Sequence, residues 1–312
     1  MNDHLINHKH LSWIDLVDPQ KADFEAVAKV NGIHPESIID TLDPEHLPKF
    51  ESVKNFNFLI VRAYDPESSQ KSDSVRGLTR KLAIFYREGT VITIHRKPHD
   101  YVKEVYSKYL EQTNLEADCH LRVLYDLLTG VIKSFEAGVK LAFEQFDAFE
   151  QQVFSQDQKP LRLKNSYVLK RHVSIMKRVL RMNQDAIEEA LTPQNIEHEI
   201  LLQNIKDQIS KFAFQLDEIR DGLTALLNLQ VSLVSQKTNE ASRRTNEVVR
   251  VLTIFSVFVM PLNFIASLYG MNFKFMPELE WEYGYFAVLG AMVFVELLVY
   301  TWFRSKGWLS GI

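Results

Sequence analysis

Twelve residues between Ser232 and Gly270 are spaced to line a path for ions. They are Ser232, Ser235, Asn239, Ser242, Asn246, Val249, Thr253, Ser256, Met260, Asn263, Ser267 and Gly270. The intervals alternate between three and four, so all lie along one face of a helix with a 3.5-residue period. Nearly all are small or polar, and none is charged. The stripe has no Cys, His, Asp or Glu, so it offers no tight site for a soft or dehydrated metal. It offers hydroxyls, amides and backbone carbonyls. Mg²⁺ gives up its waters reluctantly, and a ring of neutral oxygens can hold such a hydrated ion through its shell and release it. Val249, Leu252 and Met260 are candidates for hydrophobic narrowings. Pro261 removes one helix hydrogen bond and frees the carbonyl of Val257. A packing seam between helices would also select small residues, and that reading stands beside the water-filled axis.

The element that carries the stripe enters a membrane. Residues 251–273 hold no charge over 23 positions, roughly 34 Å of helix, against about 30 Å of hydrocarbon. A second run, 284–303, has 20 residues and one charge, Glu296. The two form a hairpin with an outer loop at 274–283 and a tail at 304–312. Arg243, Arg244 and Arg250 precede the first span, and Arg304 and Lys306 follow the second. The loop carries Glu278, Glu280 and Glu282 against Lys274. The positive-inside rule then puts both termini in the cytoplasm and the acidic loop outside. Trp281, Tyr283, Tyr285, Trp302 and Trp308 sit where an aromatic belt would meet lipid headgroups. Two helices per chain cannot enclose a channel, so a pore demands a cyclic oligomer.

Residues 1–192 read as a cytoplasmic α/β domain. Strands are expected at 13–17, 56–63, 78–86 and 91–95, with helices at 20–31 and from Pro35 to about Leu42. Residues 66–74 are a polar loop. Two long helices follow, roughly 117–155 and 161–190, the first acidic late on and the second basic. They read as an antiparallel pair with complementary charged faces, or as an acidic collar for cations. Thr192-Pro193 is a good helix start, opening a stalk helix over 193–250 that continues into the membrane. Its first half has an apolar seam of Ile209, Phe212, Leu216, Ile219, Leu223 and Leu226.

Composition narrows the class. The 312 residues are 46% hydrophobic and 24% charged, which fits neither a chain built mostly of membrane helices nor a disordered one. A net charge of −4 argues against a nucleic-acid partner. The single cysteine, Cys119, excludes an intramolecular disulfide and a CxxC site. Met1 to Trp13 reads as polar, with no secretory leader expected. No nucleophile–base pairing, phosphate loop or metal triad supports an enzyme.

The first span ends in Tyr269-Gly270-Met271-Asn272-Phe273, followed by Met276-Pro277-Glu278-Leu279. Together with Met260-Pro261-Leu262, Lys306-Gly307-Trp308-Leu309, Trp13-Ile-Asp-Leu, Gly32-Ile-His-Pro and Arg96, these residues resemble the CorA family of magnesium transporters. The resemblance covers nearly the whole chain. It implies a homopentameric funnel in the cell (inner) membrane, an α/β/α cytoplasmic domain and pore-lining stalk helices. It implies uptake of Mg²⁺, with Co²⁺ and often Ni²⁺ also carried. By the same resemblance Gly270, Met271 and Asn272 form the outer mouth, and Asn246 lies near the inner end. Leu252 and Met260 fall at constrictions, and the acidic loop concentrates cations. The resemblance further implies closure by Mg²⁺ held between cytoplasmic domains, by Asp40 and a partner early on the neighbour's stalk, Asn204 or Asp207. Asp40 also reads as an ordinary helix-surface acid.

Other features keep alternatives open. Thr238-Asn-Glu240 recurs as Thr245-Asn-Glu247, one heptad on. Glu296 reads as a snorkelling or helix-pairing residue, or as a group coupling protons to metal. His4, His8 and His10 have metal-like spacing on a frayed terminus, His34 and His46 pack or cap, and Cys119-His120 is helix surface or core. A zinc or cobalt transporter of the same fold, with proton coupling, is the nearest competitor, with Met271 against it, since those relatives tend to carry Gly-Ile-Asn. A non-conducting, membrane-anchored sensor would not need the stripe.

Overall fold

The computed structural model describes residues 3–8, 10–53, 56–68, 72–112, 118–155, 163–193, 195–274, 276–277 and 280–308. Two compact units divide the chain, Met1–Leu229 and Gln230–Ile312. The first is an α/β/α sandwich, as the sequence leads one to expect.

Its sheet has six strands: β1 (Asp3–His8), β2 (Leu11–Val17), β3 (Lys49–Val53), β4 (Phe56–Tyr64), β5 (Thr79–Arg87) and β6 (Thr90–His95), in the order β1-β2-β6-β5-β4-β3. Only β2 and β6 run parallel, with Trp13 opposite Val91 and Val17 opposite His95. Alternate residues of the central strands feed two cores, as the pleat requires. Phe58, Ile60, Ala83 and Phe85 face α1 (Lys21–Asn31) and α2 (Pro35–Leu42), where Phe24, Ala28 and Ile38 cover them. The Phe58 and Phe85 rings stack at 4.4 Å. Leu59, Val61, Leu82 and Ile84 face the opposite layer.

That layer holds α4 (Asp100–Glu111), α5 (Cys119–Lys133), α6 (Phe135–Phe154), α7 (Leu163–Ala190) and the first part of α8 (Ile196–Tyr269), while α3 (Val75–Leu78) is a single turn before β5. The six seam residues of α8, Ile209 to Leu226, are all buried in this core. Each contributes about 1.5–3 kcal/mol relative to exposure. Gly222 lets α8 come close to α6, since a Cβ there would sit 2.7 Å from the Phe146 ring.

Several expectations need correction. The terminus carrying His4 and His8 is not frayed, because β1 pairs along its whole length with β2. β3 was not expected either; its alternating Lys49-Phe-Glu-Ser-Val53 pattern hides an edge strand among charges. The helix expected over 117–155 is broken at Ser134. Its hydroxyl donates to the Val131 carbonyl and accepts the backbone N–H of Tyr64, tying the break to the end of β4. The expected starts at 117 and 161, and part of the 66–74 loop, lie outside the described residues. α8 starts at Ile196, not at Pro193. Asn195 is the cap, its Oδ1 accepting the His198 N–H at 2.8 Å, and Asn caps a helix better than Thr.

The charge pairing also differs. Among the described residues no ion pair joins the acids of α6 to the bases of α7. Lys177 instead pairs with Asp217 of α8 at 2.6 Å, and Glu188 with Lys206 at 3.3 Å. Histidines take structural posts: His34 Nδ1 accepts the Glu36 N–H at the start of α2, and His46 Nδ1 lies 2.8 Å from the Leu47 carbonyl. Cys119 is buried at the start of α5.

The second unit holds the remainder of α8 and α9 (Gly284–Ser305). Both have the length and composition to cross a membrane. Pro261 sits inside α8 without ending it. The helix stops at Tyr269, where the Gly270 N–H turns back to the Ala266 and Ser267 carbonyls.

Candidate ion pathway

Ser232 to Ser267 of the stripe belong to one uninterrupted helix, α8, and Gly270 closes it. Within a single chain the stripe is exposed throughout, except at half-buried Thr253. The cover that α8 receives in this unit falls on a different face. Phe258 meets Phe303 of α9 with ring centroids 5.9 Å apart. Phe258 and Leu262 also line a cavity of about 380 Å³ with Met292, Val293, Glu296 and Tyr300. Asn246, Asn263, Ser256 and Met260 therefore stand uncovered, with Val249, Leu252 and Met260 as apolar steps between polar ones.

The hydroxyls are oriented. Thr253 Oγ1 donates to the Val249 carbonyl at 2.7 Å, and Ser256 Oγ to the Leu252 carbonyl at 2.9 Å. With its proton committed to the helix, each oxygen presents lone pairs outward, which suits a cation's water shell. Val257, whose carbonyl Pro261 leaves without an i+4 donor, lines another cavity with Leu298, Thr301 and Trp302. Val257 thus borders α9.

Met271 and Asn272 follow the helix end and are exposed. Glu280 and Glu282 are exposed in the loop before α9, whereas Glu278 lies outside the described residues. Trp281 and Tyr283 pair edge to face at one end of α9, and Trp302, Phe303 and Trp308 cluster at the other. One carboxylate oxygen of Glu296 is buried without a hydrogen-bond partner, facing the apolar side chains that line its cavity.

The candidate regulatory residues are not brought together within one chain. Asp40 is engaged locally: its Oδ2 lies 2.5 Å from Lys49 Nζ and its Oδ1 3.8 Å from His46 Nε2. Asn204 and Asp207 are exposed on α8, and Asp207 accepts from Gln203. No hydrogen bond or ion pair joins Asp40 to either among the described residues, and none of these forms a group of three metal-ligating side chains. Lys49 was missed by sequence reasoning, since only the folding of α2 against β3 makes it the partner of Asp40.

A domain of this build, followed by one long helix with an uncharged polar stripe and a second apolar helix, has the arrangement of a membrane ion transporter. The family of CorA-like Mg²⁺ transporter proteins matches residues 8–305, and the chain belongs to that CorA family. It is 28% identical to the cobalt/magnesium transport protein CorA of Thermotoga maritima, over 96% of this chain and 83% of that one. It is 27% identical to the magnesium transport protein CorA of Bacillus subtilis, over 88% of both. Its fold matches the complete CorA magnesium transporter of Methanocaldococcus jannaschii with a TM-score of 0.65 at 19% identity, over 99% of this chain and 95% of that one. The soluble domain of the same protein gives 0.59 at 16% identity, over 72% and 88%.

Proposed function

We propose that the chain imports Mg²⁺ as a homopentameric channel, with Co²⁺ and Ni²⁺ as further cargo, and that cytoplasmic Mg²⁺ closes it. The observation that carries this reading is the stripe, polar and uncharged, on the face of α8 that the chain's own α9 leaves open. Polar groups facing lipid are costly, so such a face belongs against water or other copies of the same helix. Five copies around one axis would line a wet path from Asn246 to Asn272. The Gly270-Met271-Asn272 mouth would receive the hydrated ion, with Glu278, Glu280 and Glu282 raising its local concentration. Thr253, Ser256 and Asn263 would pass it on through its waters, and Val249, Leu252 and Met260 would close the path by dewetting.

The domains follow from the same reading: a cytoplasmic part to residue 250, spans over 251–273 and 284–303, and both termini inside. The driving force is the membrane potential, about 4.6 kcal/mol for a divalent cation at 100 mV. Asp40 of one subunit, with Asp207 or Asn204 of the next, would hold the regulatory ion. The test is Mg²⁺ flux into proteoliposomes with and without an inside-negative potential, repeated with Zn²⁺ and a pH gradient. Potential-driven Mg²⁺ entry that Asn272→Ala abolishes supports the reading. Zn²⁺ uptake driven by pH, without Mg²⁺ entry, would replace it with a proton-coupled zinc transporter. No flux of either ion would leave a non-conducting sensor.

A further inference from the structure

At the C-terminal ends of the sheet's parallel pair, where β2 gives way to Asp18 and β6 to Arg96, a cavity of about 790 Å³ opens. The volume is that of a small-molecule site. Seven Lys and Arg side chains line it, against three Asp and Glu, in a chain whose net charge is −4.

Two of the three acids are already spoken for, and the third, Asp18, is exposed. Arg80 Nη2 lies 2.7 Å from both Asp65 and Glu67, and Lys97 is 3.6 Å from Asp65. Among the described residues no carboxylate forms an ion pair with Arg62, Lys81 or Arg96, although the charges of Glu45 and Asp43 act on Arg62 and those of Asp43 and Asp40 on Lys81. Arg62 is only 1% exposed, and its guanidinium donates to Thr79 Oγ1 and to the carbonyls of Thr79, Pro44 and His46. Lys81 Nζ donates to the carbonyls of Asp40, Thr41 and Asp43, and Arg96 to that of Leu42 at 3.2 Å. The carbonyls that Lys81 and Arg96 use gather at the C-terminus of α2, which carries about half a negative charge. Of the carboxylates nearby, Asp40 is taken up by Lys49 and Glu45 by Arg76, so this half charge and Asp43 stand against three cations. Burial, and then the charge of Arg62, push the Lys81 pKa down to about 8, so the cations crowd one another.

We propose that this cavity binds a soluble polyphosphate anion, held by Arg96 and attracted by the charges of Lys81 and Arg62, whose own N–H groups are largely spent on protein oxygens. Polyphosphate carries the multiple charge that the crowded cations lack, and the planar guanidinium fork matches its oxygens. Arg96 is exposed and spends only one N–H group on the protein, leaving the rest for the ligand.

The experiment is calorimetric titration of the purified full chain in detergent with inorganic pyrophosphate, in EDTA and at constant ionic strength. Sulfate is the control. Saturable pyrophosphate binding is expected. Arg96→Gln should weaken it about tenfold, the loss of one charge-assisted contact, without changing the melting temperature. Amine modification of Lys81 should fall severalfold at saturation while that of exposed Lys103 stays constant. Absent saturation, equal affinity for sulfate, unchanged affinity in Arg96→Gln or undiminished labelling of Lys81 would each overturn the proposal.

Discussion

If Asp40 binds the regulatory Mg²⁺ as proposed, Lys49 is placed to compete with it, and removing Lys49 should sharpen the response of the first unit to Mg²⁺. Its Nζ sits 2.5 Å from Asp40 Oδ2 and 2.7 Å from Glu51 Oε1, in a setting where the Lys49 and Asp40 side chains are 22% and 31% exposed. Burial works against the ammonium, but the bonds to Asp40 and Glu51 outweigh it and push the Lys49 pKa up. Fully exposed ion pairs contribute at most about 1 kcal/mol, and hydrogen bonds to charged groups about 1.5–3 when buried. For this half-buried pair we take about 1 kcal/mol, roughly fivefold in an equilibrium constant. If Asp40 is a ligand of the regulatory ion, Mg²⁺ must displace Lys49 first. Lys49→Met keeps the apolar stem and removes the competitor. The expected result is a Mg²⁺ midpoint for protection from proteolysis about fivefold lower than in the wild type. Adding Asp40→Asn should abolish the gain. A midpoint that stays put or rises in Lys49→Met would refute the competition, and with it the case for Asp40.

Three further outcomes are expected. Asn183→Ala should lower the melting temperature of the first unit. The fully buried Asn183 amide accepts the Arg62 N–H at 3.0 Å and donates to the Arg62 carbonyl at 2.8 Å, beyond the reach of β3, whose pairing ends at Ile60. Two orphaned backbone groups cost about 4 kcal/mol, or roughly 8–16 °C in a unit of this size. A change too small to resolve would show that water replaces the amide. Stability should also fall as the pH drops below about 6.5. Burial, and then the charge of His95, hold the His99 pKa at about 3. The unfolded chain therefore takes up a proton that the folded chain refuses, costing up to about 1.4 kcal/mol per pH unit. His172, lowered by burial, acts in the same direction. Melting curves at pH 7, 6 and 5 read the slope, and a slope that His99→Gln leaves intact would assign it elsewhere. Finally, Glu296→Gln should leave Mg²⁺ flux unchanged. Lost flux with an altered pH profile would revive proton coupling.

Much of the architecture is written in local patterns. Long uncharged runs mark the two helices that could cross a membrane, because the bilayer sets a minimum length that few other elements reach. The 3-4 alternation from Ser232 to Ser267 falls on one uninterrupted helix, where helix geometry alone sets each of these residues beside the next. The α8 seam, Gly32 closing α1 in the left-handed region at φ 71°, and the His34-Pro35 start of α2 are equally local.

What escaped the sequence depends on partners distant in the chain. β1 and β3 are edge strands, so each is half exposed and its pattern blurs into that of a loop; only pairing with β2 and β4 makes them strands. The break at Ser134 needs the end of β4, and the charge scheme of α7 needs α8. Asp40 looks like a free acid until β3 brings Lys49 to it. The cationic cavity is assembled from residues between Asp18 and Lys97 that share no motif, gathered where the ends of β2, β4 and β6, the start of β5 and the end of α2 meet. Sequence by itself determined the helix periodicities, the spans and the uncharged face, since each rests on spacing along one element. The tertiary structure alone decided which charges are neutralised and which are left over, because desolvation and pairing depend on what lies within a few ångströms in space.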